Sequence, residues 1–262
     1  MVTRVAIVGS GIGGLVLAKT LTQYGAGKVE AWDEWKTRGG SLGIQQSSLI
    51  LEKLGLKEVF DALANHPKAT KYWSDGQDLQ KMVLDSIPPE VIFLGHKLES
   101  LTEDDKEVTL TFANGKVDKA DIVVGADGIH SVVKKQIFDC GEPVHAGFRL
   151  IYSCSSVPIR PNPEEVHVNW ISKDGEGYHV MDWSAGAADK RHDVCLLMMR
   201  SEELISDKWD STIVKDKLKE LTSRVAPGHE VLHAAIENAE MCFDWGSTFS
   251  QCFQLGFLPN RE

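Results

Sequence analysis

The sequence predicts an α/β protein, and three of its stretches carry that prediction. The first, "RVAIVGSGIGG", is a short apolar strand that runs into a glycine-rich loop, and apolar residues follow it at helical spacing. The second, "DIVVGADG", is a later apolar strand that ends in a glycine and acid turn. The third is the region after residue 148, where short apolar or alternating segments indicate an antiparallel sheet. We therefore expect a Rossmann-like βαβ unit with an interleaved antiparallel sheet.

The order of the elements follows from the same patterns. Residues 4–8 form the first strand, the next helix stops at Gly25, and "KVEAWDEW" forms the second strand. Because parallel strands joined by a helix require a right-handed crossover, this start makes one βαβ unit. Further elements are expected as helices within 38–64, 79–87 and 211–241, and as strands within 91–104 and 107–128 with a hairpin turn at "ANG".

Composition and charge argue against several classes of protein. With 262 residues, of which 42% are hydrophobic, the chain can bury the core of one large domain or two entwined ones. Its formal net charge of −10 argues against a nucleic acid partner, which usually requires a basic face. No apolar run approaches the ~20 residues of a membrane span, and glycines interrupt the apolar start of the chain. The five widely spaced cysteines lack metal-ligand spacing and indicate free thiols in the cytoplasm.

The first glycine loop matches the dinucleotide fingerprint G-x-G-x-x-G. It lies after a strand and at the start of a helix, which is the context in which this fingerprint indicates dinucleotide binding. Its candidate cofactor residues are Gly9, Ser10, Gly11, Ile12, Gly13 and Gly14. We expect Gly9 to permit the tight turn, Gly11 to let the backbone approach a pyrophosphate, and Gly14 to let the helix pack on the sheet. The pyrophosphate would lie at the helix N-terminus, where N–H groups and the dipole favour negative charge.

The second strand ends in two acids, either of which can serve a ribose. Asp33 follows Gly9 at close to the ~20-residue spacing at which a carboxylate accepts hydrogen bonds from ribose hydroxyls. Glu34 is the alternative, because adjacent strand residues point to opposite faces. A carboxylate here disfavours a 2′-phosphate, so the tightly bound dinucleotide is expected to be FAD or NAD rather than NADP.

The second turn, "ADIVVGADGIHSVVKK", separates these two cofactors. Together with Gly9–Gly14 and "RGGSLGIQQSSLILEKLGL", it resembles the motifs of the flavin-dependent aromatic hydroxylases, the class A FAD monooxygenases of the p-hydroxybenzoate and salicylate hydroxylase type. In that family the Asp-Gly motif is implied to serve both the FAD pyrophosphate and the transient NADH or NADPH. The resemblance extends over most of the chain and implies that both glycine loops serve one FAD.

The resemblance also implies cofactor contacts beyond the first loop. Asp127 and Gly128 carry the second motif, Ser131 follows at a helix start, and Gly40 lies in the loop before the next helix. His130 is more simply a surface residue. No metal site is expected, and no catalytic side chain is assigned, because in such enzymes the cofactor carries the difficult chemistry.

On the later sheet, three residues could line a substrate pocket: Tyr178, His179 and Trp183. Strand alternation places Tyr178 and His179 on opposite faces, so at most one of them points inward. Packing in the core or at the surface is the simpler interpretation for each.

The chain departs from the family pattern at three places. Lys134 stands where the family usually has arginine, which weakens any bidentate contact there. The stretch between Leu56 and Leu79 is short and lacks an arginine often found before its helix. The third family motif, a strand ending in Gly-Asp, is expected after about residue 250, where "CFQLGFLPNRE" stands instead. On this pattern we expect a chain truncated before that motif, with weaker FAD binding because each lost contact is worth about 1–3 kcal/mol.

The sequence thus predicts three parts, namely an FAD-binding domain with interleaved β segments over 1–147, a substrate-binding sheet with helices over 148–240 and an atypical truncated tail over 241–262. The resemblance implies hydroxylation or epoxidation of an electron-rich aromatic or secondary-metabolite substrate with NADPH or NADH and O₂. Two alternatives stay open. One is a truncated, catalytically silent flavoprotein or nucleotide-binding interaction protein, and the other is an NAD-linked dehydrogenase.

Overall fold

A computed structural model describes residues 3–33, 41–43, 48–64, 73–164, 167–171, 178–201 and 211–249. The chain divides into two compact units. Unit 1 takes the described residues within 1–38 and 80–144 together with Phe249, and unit 2 takes those within 39–79 and 145–248. The chain therefore leaves unit 1, returns to it and leaves it again, so each unit is assembled from segments distant in sequence.

Strands occur in both units, with helices between and after them. The strands, in chain order, are β1 (Arg4–Val8), β2 (Lys28–Asp33), β3 (Ser41–Gly43), β4 (Trp73–Asp75), β5 (Ile92–Leu94), β6 (Leu98–Glu103), β7 (Val108–Phe112), β8 (Val117–Ala120), β9 (Ile122–Gly125), β10 (Val144–Ser155), β11 (His167–Ile171), β12 (Tyr178–Ala185), β13 (His192–Arg200) and β14 (Met241–Phe249). The helices are α1 (Ile12–Gln23), α2 (Ser48–Lys53), α3 (Lys57–Leu63), α4 (Gly76–Asp85), α5 (Val132–Phe138), α6 (Ser211–Val225) and α7 (Glu230–Glu237), and a 3₁₀ turn spans Pro89–Val91. Within the described residues, no helix combines the length and the apolar character needed to cross a membrane.

Unit 1 is built on a four-stranded parallel sheet with the strand order β5-β2-β1-β9. β1 pairs in parallel with β2 on one side and with β9 on the other, so Val8 lies beside both Trp32 and Gly125. Helix α1 connects β1 to β2 and buries Leu15 and Ala18. The predicted βαβ start is confirmed, and the carboxyl ends of β1, β2 and β9 meet at one edge of the sheet.

A three-stranded antiparallel sheet, β6-β7-β8, packs its apolar side chains against one face of the parallel sheet. The turn between β7 and β8 is the predicted hairpin, with Gly115 at a φ of 81°. Under it, the buried ring of Trp32 stacks on Phe93 at 4.1 Å and on Phe112 at 4.8 Å between ring centres. The ammonium group of Lys116 lies 4.2 Å from the centre of the Trp32 ring. This aromatic cluster holds the end of β2 in place.

At the other end of β1, Arg4 joins the strand to three acids. Its Nη2 lies 3.2 Å from Glu30 Oε2 and 2.7 Å from Asp118 Oδ1, and its backbone N–H donates to Asp121 Oδ2 at 2.7 Å. Burial opposes ionisation of Asp118, but hydrogen bonds from Arg4 and from the Lys119 N–H outweigh it, so the pKa of Asp118 lies below its usual value. Arg4 thereby ties β1 to β2 and β8.

Unit 2 is built on a five-stranded sheet with the strand order β11-β12-β13-β10-β14. The pairs β11–β12, β12–β13 and β13–β10 are antiparallel, as the pattern after residue 148 predicts. The sequence pattern predicts no element from Cys242 onward, whereas the structure has strand β14 at Met241–Phe249. Asp244 of β14 forms a buried ion pair with Arg149 of β10, in which Arg149 Nε lies 2.6 Å from Oδ1.

The two faces of this sheet pack differently. On one face, Ile151 and Leu197 pack with Leu218 of α6 and Leu232 of α7, and Tyr178 lies against the same cluster. The other face carries a second cluster, whose buried members are Tyr152, Cys154, Trp183, Ala185 and Val194. Helices α6 and α7 therefore pack on one face, and the second cluster is buried on the other face.

The cysteines differ in part from the sequence expectation. Cys140 is disulfide-bonded, so the prediction of free thiols throughout is wrong at this residue. Spacing along the chain could not reveal this, because a disulfide depends on which segments approach in space. Cys154, Cys195 and Cys242 carry reduced thiols and are buried. Burial raises the pKa of the Cys195 thiol, and it raises that of Cys242 to about 11.

The two compact units do not follow the predicted domain limits along the chain, because each unit is assembled from segments distant in sequence. The structure groups residues 39–79 with 145–248 in one compact unit. The predicted limits 1–147, 148–240 and 241–262 concern cofactor and substrate binding, and they stay a prediction. Residues 250–262, where the family pattern places the third motif, lie outside the described residues.

Candidate functional site

The loops after β1 and β9 lie side by side at the carboxyl edge of the parallel sheet. The Gly9 N–H donates to the Trp32 carbonyl at 2.8 Å, and the Ala126 N–H donates to the Val8 carbonyl at 2.7 Å. The loop after β1 is thus anchored to β2, and the loop after β9 is anchored to β1. The two glycine motifs, which are far apart in sequence, form one continuous surface.

Gly9 is required where the two loops touch. Its φ of 110° is a conformation that residues with a side chain rarely adopt. A Cβ at this position would overlap the carbonyl group of Ala126 and would lie 2.7 Å from the Asp127 nitrogen. The first loop can therefore approach the second this closely only because residue 9 is glycine.

The other fingerprint glycines fall into two groups. A Cβ on Gly14 would overlap the Gly9 carbonyl oxygen and would lie 3.2 Å from Ala126 Cβ, so Gly14 permits close packing of α1 behind the loop. By contrast, a Cβ on Gly11 or on Gly13 would have no protein atom within 4 Å. Packing does not require glycine at these two positions. Their bare backbone instead borders open space in which a ligand can approach it.

Helix α1 begins at this edge without a side-chain cap. Its N-cap residue is Gly11, and its first turn contains no acidic side chain. The first N–H groups of a helix have no acceptor within the helix, and the helix dipole makes this end positive. A phosphate group would satisfy these N–H groups without displacing any carboxylate of the first turn.

Asp33 ends β2 beside the first loop. Its Oδ2 accepts a hydrogen bond from the Ser10 N–H at 2.8 Å and another from the Ser10 hydroxyl. Ser10 is buried, and its carbonyl accepts from Gln80 Nε2 of α4 at 2.8 Å. These contacts hold the carboxylate at the edge where a ribose is expected. Glu34, the alternative, lies outside the described residues.

Asp127 in the second loop uses its two oxygens differently. Oδ2 accepts from the N–H of Val132 at 2.7 Å and from that of Val133 at 3.3 Å, which ties the loop to the start of α5. Oδ1 is buried, and within the part of the chain that the structure describes it has no hydrogen-bond partner. Buried carboxylate oxygens are normally paired, so a ligand donor would complete this site.

The remaining predicted residues of the second motif shape the loop. Gly128 has a φ of 80°, and its carbonyl accepts from the Ser131 N–H at 3.1 Å. The Ser131 hydroxyl caps α5 by accepting from the Lys134 N–H at 2.9 Å, and Lys134 Nζ donates to the Ile129 carbonyl at 3.1 Å. His130 is exposed. A cofactor contact by Ser131 stays a prediction, because its described role is the helix cap.

The structure brings together Gly9–Gly14, Asp33 and the Asp127–Gly128 turn, whereas Gly40 lies outside the described residues. Gln80 holds the Ser10 carbonyl from helix α4, and no motif in the sequence predicts this contact. Among the described residues, no group of three or more His, Cys, Asp or Glu side chains is arranged to hold a metal ion.

Comparison with known sequences matches part of this edge to a known family. Residues 2–92 match the family described as FAD binding domain. The chain is 22% identical to 6-hydroxynicotinate 3-monooxygenase of Pseudomonas fluorescens over 277 residues, covering 92% of this chain and 70% of the relative. It is 27% identical to 3-amino-4-hydroxybenzoate 2-monooxygenase of Streptomyces cremeus over 211 residues, covering 68% of this chain and 52% of the relative.

Solved structures share the fold. The 2,6-dihydroxypyridine-3-hydroxylase from Arthrobacter nicotinovorans superposes with a TM-score of 0.77 at 15% identity, over 95% of this chain and 73% of that one. Klebsiella pneumoniae HpxO complexed with FAD and uric acid superposes with a TM-score of 0.77 at 16% identity, over 96% of this chain and 69% of that one. At these identities the likeness concerns the fold.

The fold and the two joined glycine loops define a dinucleotide-binding flavoprotein. The match to the FAD binding domain family covers residues 2–92, and the chain is similar to monooxygenases named for aromatic-ring substrates. FAD fits the described edge, which offers open space over Gly11 and Gly13, an uncapped helix start and a buried Asp127 oxygen that lacks a partner among the described residues.

Proposed function

We propose that this chain hydroxylates or epoxidises an electron-rich aromatic or secondary-metabolite substrate, with NADH or NADPH as reductant and O₂ as oxidant. The observation that carries the proposal is the backbone contact between the loops at Gly9 and Ala126. A dehydrogenase that binds only NAD has no fixed need for a second glycine and acid turn joined to the first. The relatives, which are named as monooxygenases, support the same choice.

In this proposal each part of the edge holds a different part of FAD. The N-terminus of α1, beside the bare backbone of Gly11, binds the pyrophosphate. Asp33 accepts hydrogen bonds from ribose hydroxyls, and its bonds to Ser10 keep the carboxylate oriented when a ligand arrives. Asp127 offers its second oxygen to a hydroxyl donor of the cofactor. Gly40 is a further candidate by resemblance, and Glu34 is the alternative acid for the ribose.

FAD, when bound, supplies electron transfer from the nicotinamide and the activation of O₂. The residues of this chain bind FAD and hold it in one orientation. The hydrogen bonds from the buried Ser10 fix the direction of Asp33, and the aromatic cluster buries the ring of Trp32 just before it. We propose that the sheet of unit 2 supplies the substrate platform, as the predicted limits 148–240 imply.

We also propose that the protein acts in the cytoplasm, where NADH and NADPH are available to reduce its flavin. The acidic net charge of −10 supports a small-molecule partner rather than nucleic acid. The choice between NADH and NADPH is left to the experiment below.

The test begins with the purified chain, which is incubated with FAD, desalted and examined for visible flavin absorption. Retained absorption, followed by NADH or NADPH oxidation under air that an aromatic compound stimulates, is the expected result. Asp127→Ala should lose FAD, whereas Asp105→Ala, in the exposed turn between β6 and β7, should retain it. A wild-type chain that stays colourless with excess FAD would contradict the proposal.

A further inference from the structure

Cys140 lies just after helix α5, where it is half-buried and disulfide-bonded. The structure contains a single chain, so the partner of Cys140 is another cysteine of that chain. The sequence has five cysteines. Three of the other four carry reduced thiols, namely Cys154, Cys195 and Cys242. Cys252 is therefore the cysteine that is left to bond with Cys140.

The path of the chain agrees with this pairing. Val144 ends a segment of unit 1, and the chain then runs through unit 2 as far as β14. Phe249, at the end of β14, groups with unit 1 again. Cys140 lies shortly before the first of these crossings, and Cys252 follows shortly after the second. Two cysteines can bond only when their Cα atoms approach within about 7 Å, and a return of the chain to unit 1 is what this bond requires.

The end of α5 holds Cys140 in a fixed position. Asp139, the C-cap residue, has a φ of 47°, so the chain turns away from the helix at this point. Lys135 Nζ lies 2.6 Å from Glu142 Oε1, and this ion pair spans the turn that carries Cys140. One sulfur of the bond is thus attached to the end of a helix that is itself part of the second glycine loop's support.

Solvent access separates Cys140 from the reduced cysteines. Cys154, Cys195 and Cys242 are buried, whereas Cys140 is half-buried. Thiol–disulfide exchange begins when an external thiolate attacks a sulfur, so it requires a sulfur that the thiolate can reach. A dithiol can therefore reach this bond while the buried thiols stay protected. In the cytoplasm, where we propose that the protein acts, disulfides are usually transient and catalytic or redox-sensing.

We propose that Cys140 and Cys252 form a reversible redox site, whose disulfide ties the segment after β14 to the end of α5. For oxidation, one thiolate attacks hydrogen peroxide, the O–O bond breaks, and a sulfenic acid and one water form. The second thiolate attacks the sulfenic sulfur, the S–O bond breaks, and the disulfide and a second water form. Two thiols and one peroxide thus give one disulfide and two waters. A dithiol reverses the reaction by thiol–disulfide exchange and becomes a disulfide itself.

This disulfide would close a loop that contains the unit 2 segment 145–248. Closing a long loop removes more conformational freedom from the unfolded chain than closing a short one. The oxidised protein should therefore unfold at a higher temperature than the reduced protein. The expected increase in Tm is about 5–15 °C. Bound FAD is not needed for this effect.

The first experiment identifies the bond. The purified chain is treated with a small excess of hydrogen peroxide, unfolded, alkylated with iodoacetamide and digested with trypsin and chymotrypsin. Chymotrypsin cleaves after Trp245, which separates Cys242 from Cys252. Mass spectrometry should find Cys140 joined to Cys252, and dithiothreitol added before unfolding should leave both alkylated. Alkylated Cys140 after peroxide, a bond to any other cysteine or to a second chain, or a bond that resists dithiothreitol overturns the inference.

The second experiment measures the tie by thermal unfolding, followed by circular dichroism, of the oxidised and the reduced protein. Cys140→Ser and Cys252→Ser should each show the same Tm in both states, because each variant lacks one sulfur of the bond. Cys242→Ala, a matched control in β14, should keep the difference. Each protein is compared with itself, so a loss of stability caused by the substitution cancels. Equal Tm values for oxidised and reduced wild type would show that the bond ties nothing, which also overturns the inference.

Discussion

Gly9 and Ala126 touch through main-chain atoms, so the loops after β1 and β9 fix each other's position. Replacing Gly9 with alanine adds a Cβ that overlaps the Ala126 carbonyl at a φ of 110°. We expect Gly9→Ala to lower the free energy of unfolding by about 2–5 kcal/mol through strain and overpacking. In Gly11→Ala the new Cβ enters open space, so its cost should stay within about 1 kcal/mol while FAD binding weakens. Urea denaturation measures both, and equal losses would contradict the separate roles.

Replacing Asp33 tests its proposed role in binding the cofactor. Asp33→Asn keeps an acceptor for the Ser10 N–H but removes the charge that faces the ribose. We expect FAD affinity to fall about tenfold or more, since hydrogen bonds to charged groups are worth about 1.5–3 kcal/mol. Asp121→Asn, at the other end of the sheet, is the control. Fluorescence titration of FAD measures both variants, and an unchanged affinity for Asp33→Asn would favour Glu34 as the ribose ligand.

The buried pair Arg149–Asp244 joins β14 to the sheet. Asp244→Ala leaves a guanidinium buried without its carboxylate, which should cost about 3–5 kcal/mol of unfolding free energy. The double variant Arg149→Met, Asp244→Leu should recover most of that loss, because apolar replacement of a buried pair is often neutral. Chemical denaturation of both measures the difference. If the double variant is as unstable as the single one, the lost unfolding free energy comes from loss of the ion pair and not from the buried unpaired guanidinium.

The Arg4–Asp118 contact predicts how stability depends on pH. Burial opposes ionisation of Asp118, yet hydrogen bonds from Arg4 and the Lys119 N–H hold the pKa of its carboxyl below the ordinary value of 3.8. A group whose pKa is lower in the folded state stabilises the fold fully above its unfolded pKa and loses that effect as pH falls through the folded pKa. Wild type should therefore exceed Asp118→Asn in stability at neutral pH, and the difference should shrink below about pH 4. A constant difference down to about pH 2 would contradict this.

We expect the thiol of Cys242 to react slowly with alkylating reagents. Burial raises its pKa to about 11, so at pH 8 only about one molecule in a thousand carries the reactive thiolate. Alkylation with iodoacetamide, followed by mass spectrometry, should leave Cys242 unmodified in the native protein and modify it in urea. Rapid labelling of the native protein would show that the region opens readily.

The parts of the site that follow fixed local spacing could be predicted from the sequence. Gly9, Gly14 and the turn at Asp127 belong to short motifs whose backbone geometry needs particular residues, and the structure joins them. Strand β14 was missed because Asp244 puts a charge at a buried position, which breaks the alternation that marks a strand. Its partner, Arg149, lies 95 residues earlier in the chain, so no local window contains both.

Two further features depended on tertiary contacts. Alternation showed that Tyr178 and His179 face opposite ways, but only the packing of α6 and α7 decides which faces outward. Gln80 likewise supports Ser10 from another helix, at a position whose sequence pattern shows only an amphipathic helix. Long-range hydrogen bonds and the choice of covered face leave little trace in local periodicity.

The place of β1 within its sheet has a consequence for how the protein is made. β1 lies between β2, which follows it closely in the chain, and β9, whose neighbour Asp121 is 117 residues from Arg4. Synthesis adds about 5–20 residues per second, so the first glycine loop leaves the ribosome several seconds or more before the second one. During that interval one flank of β1 has no strand to pair with. The site that we propose for FAD, which needs both loops, can therefore form only after α5 has been synthesised.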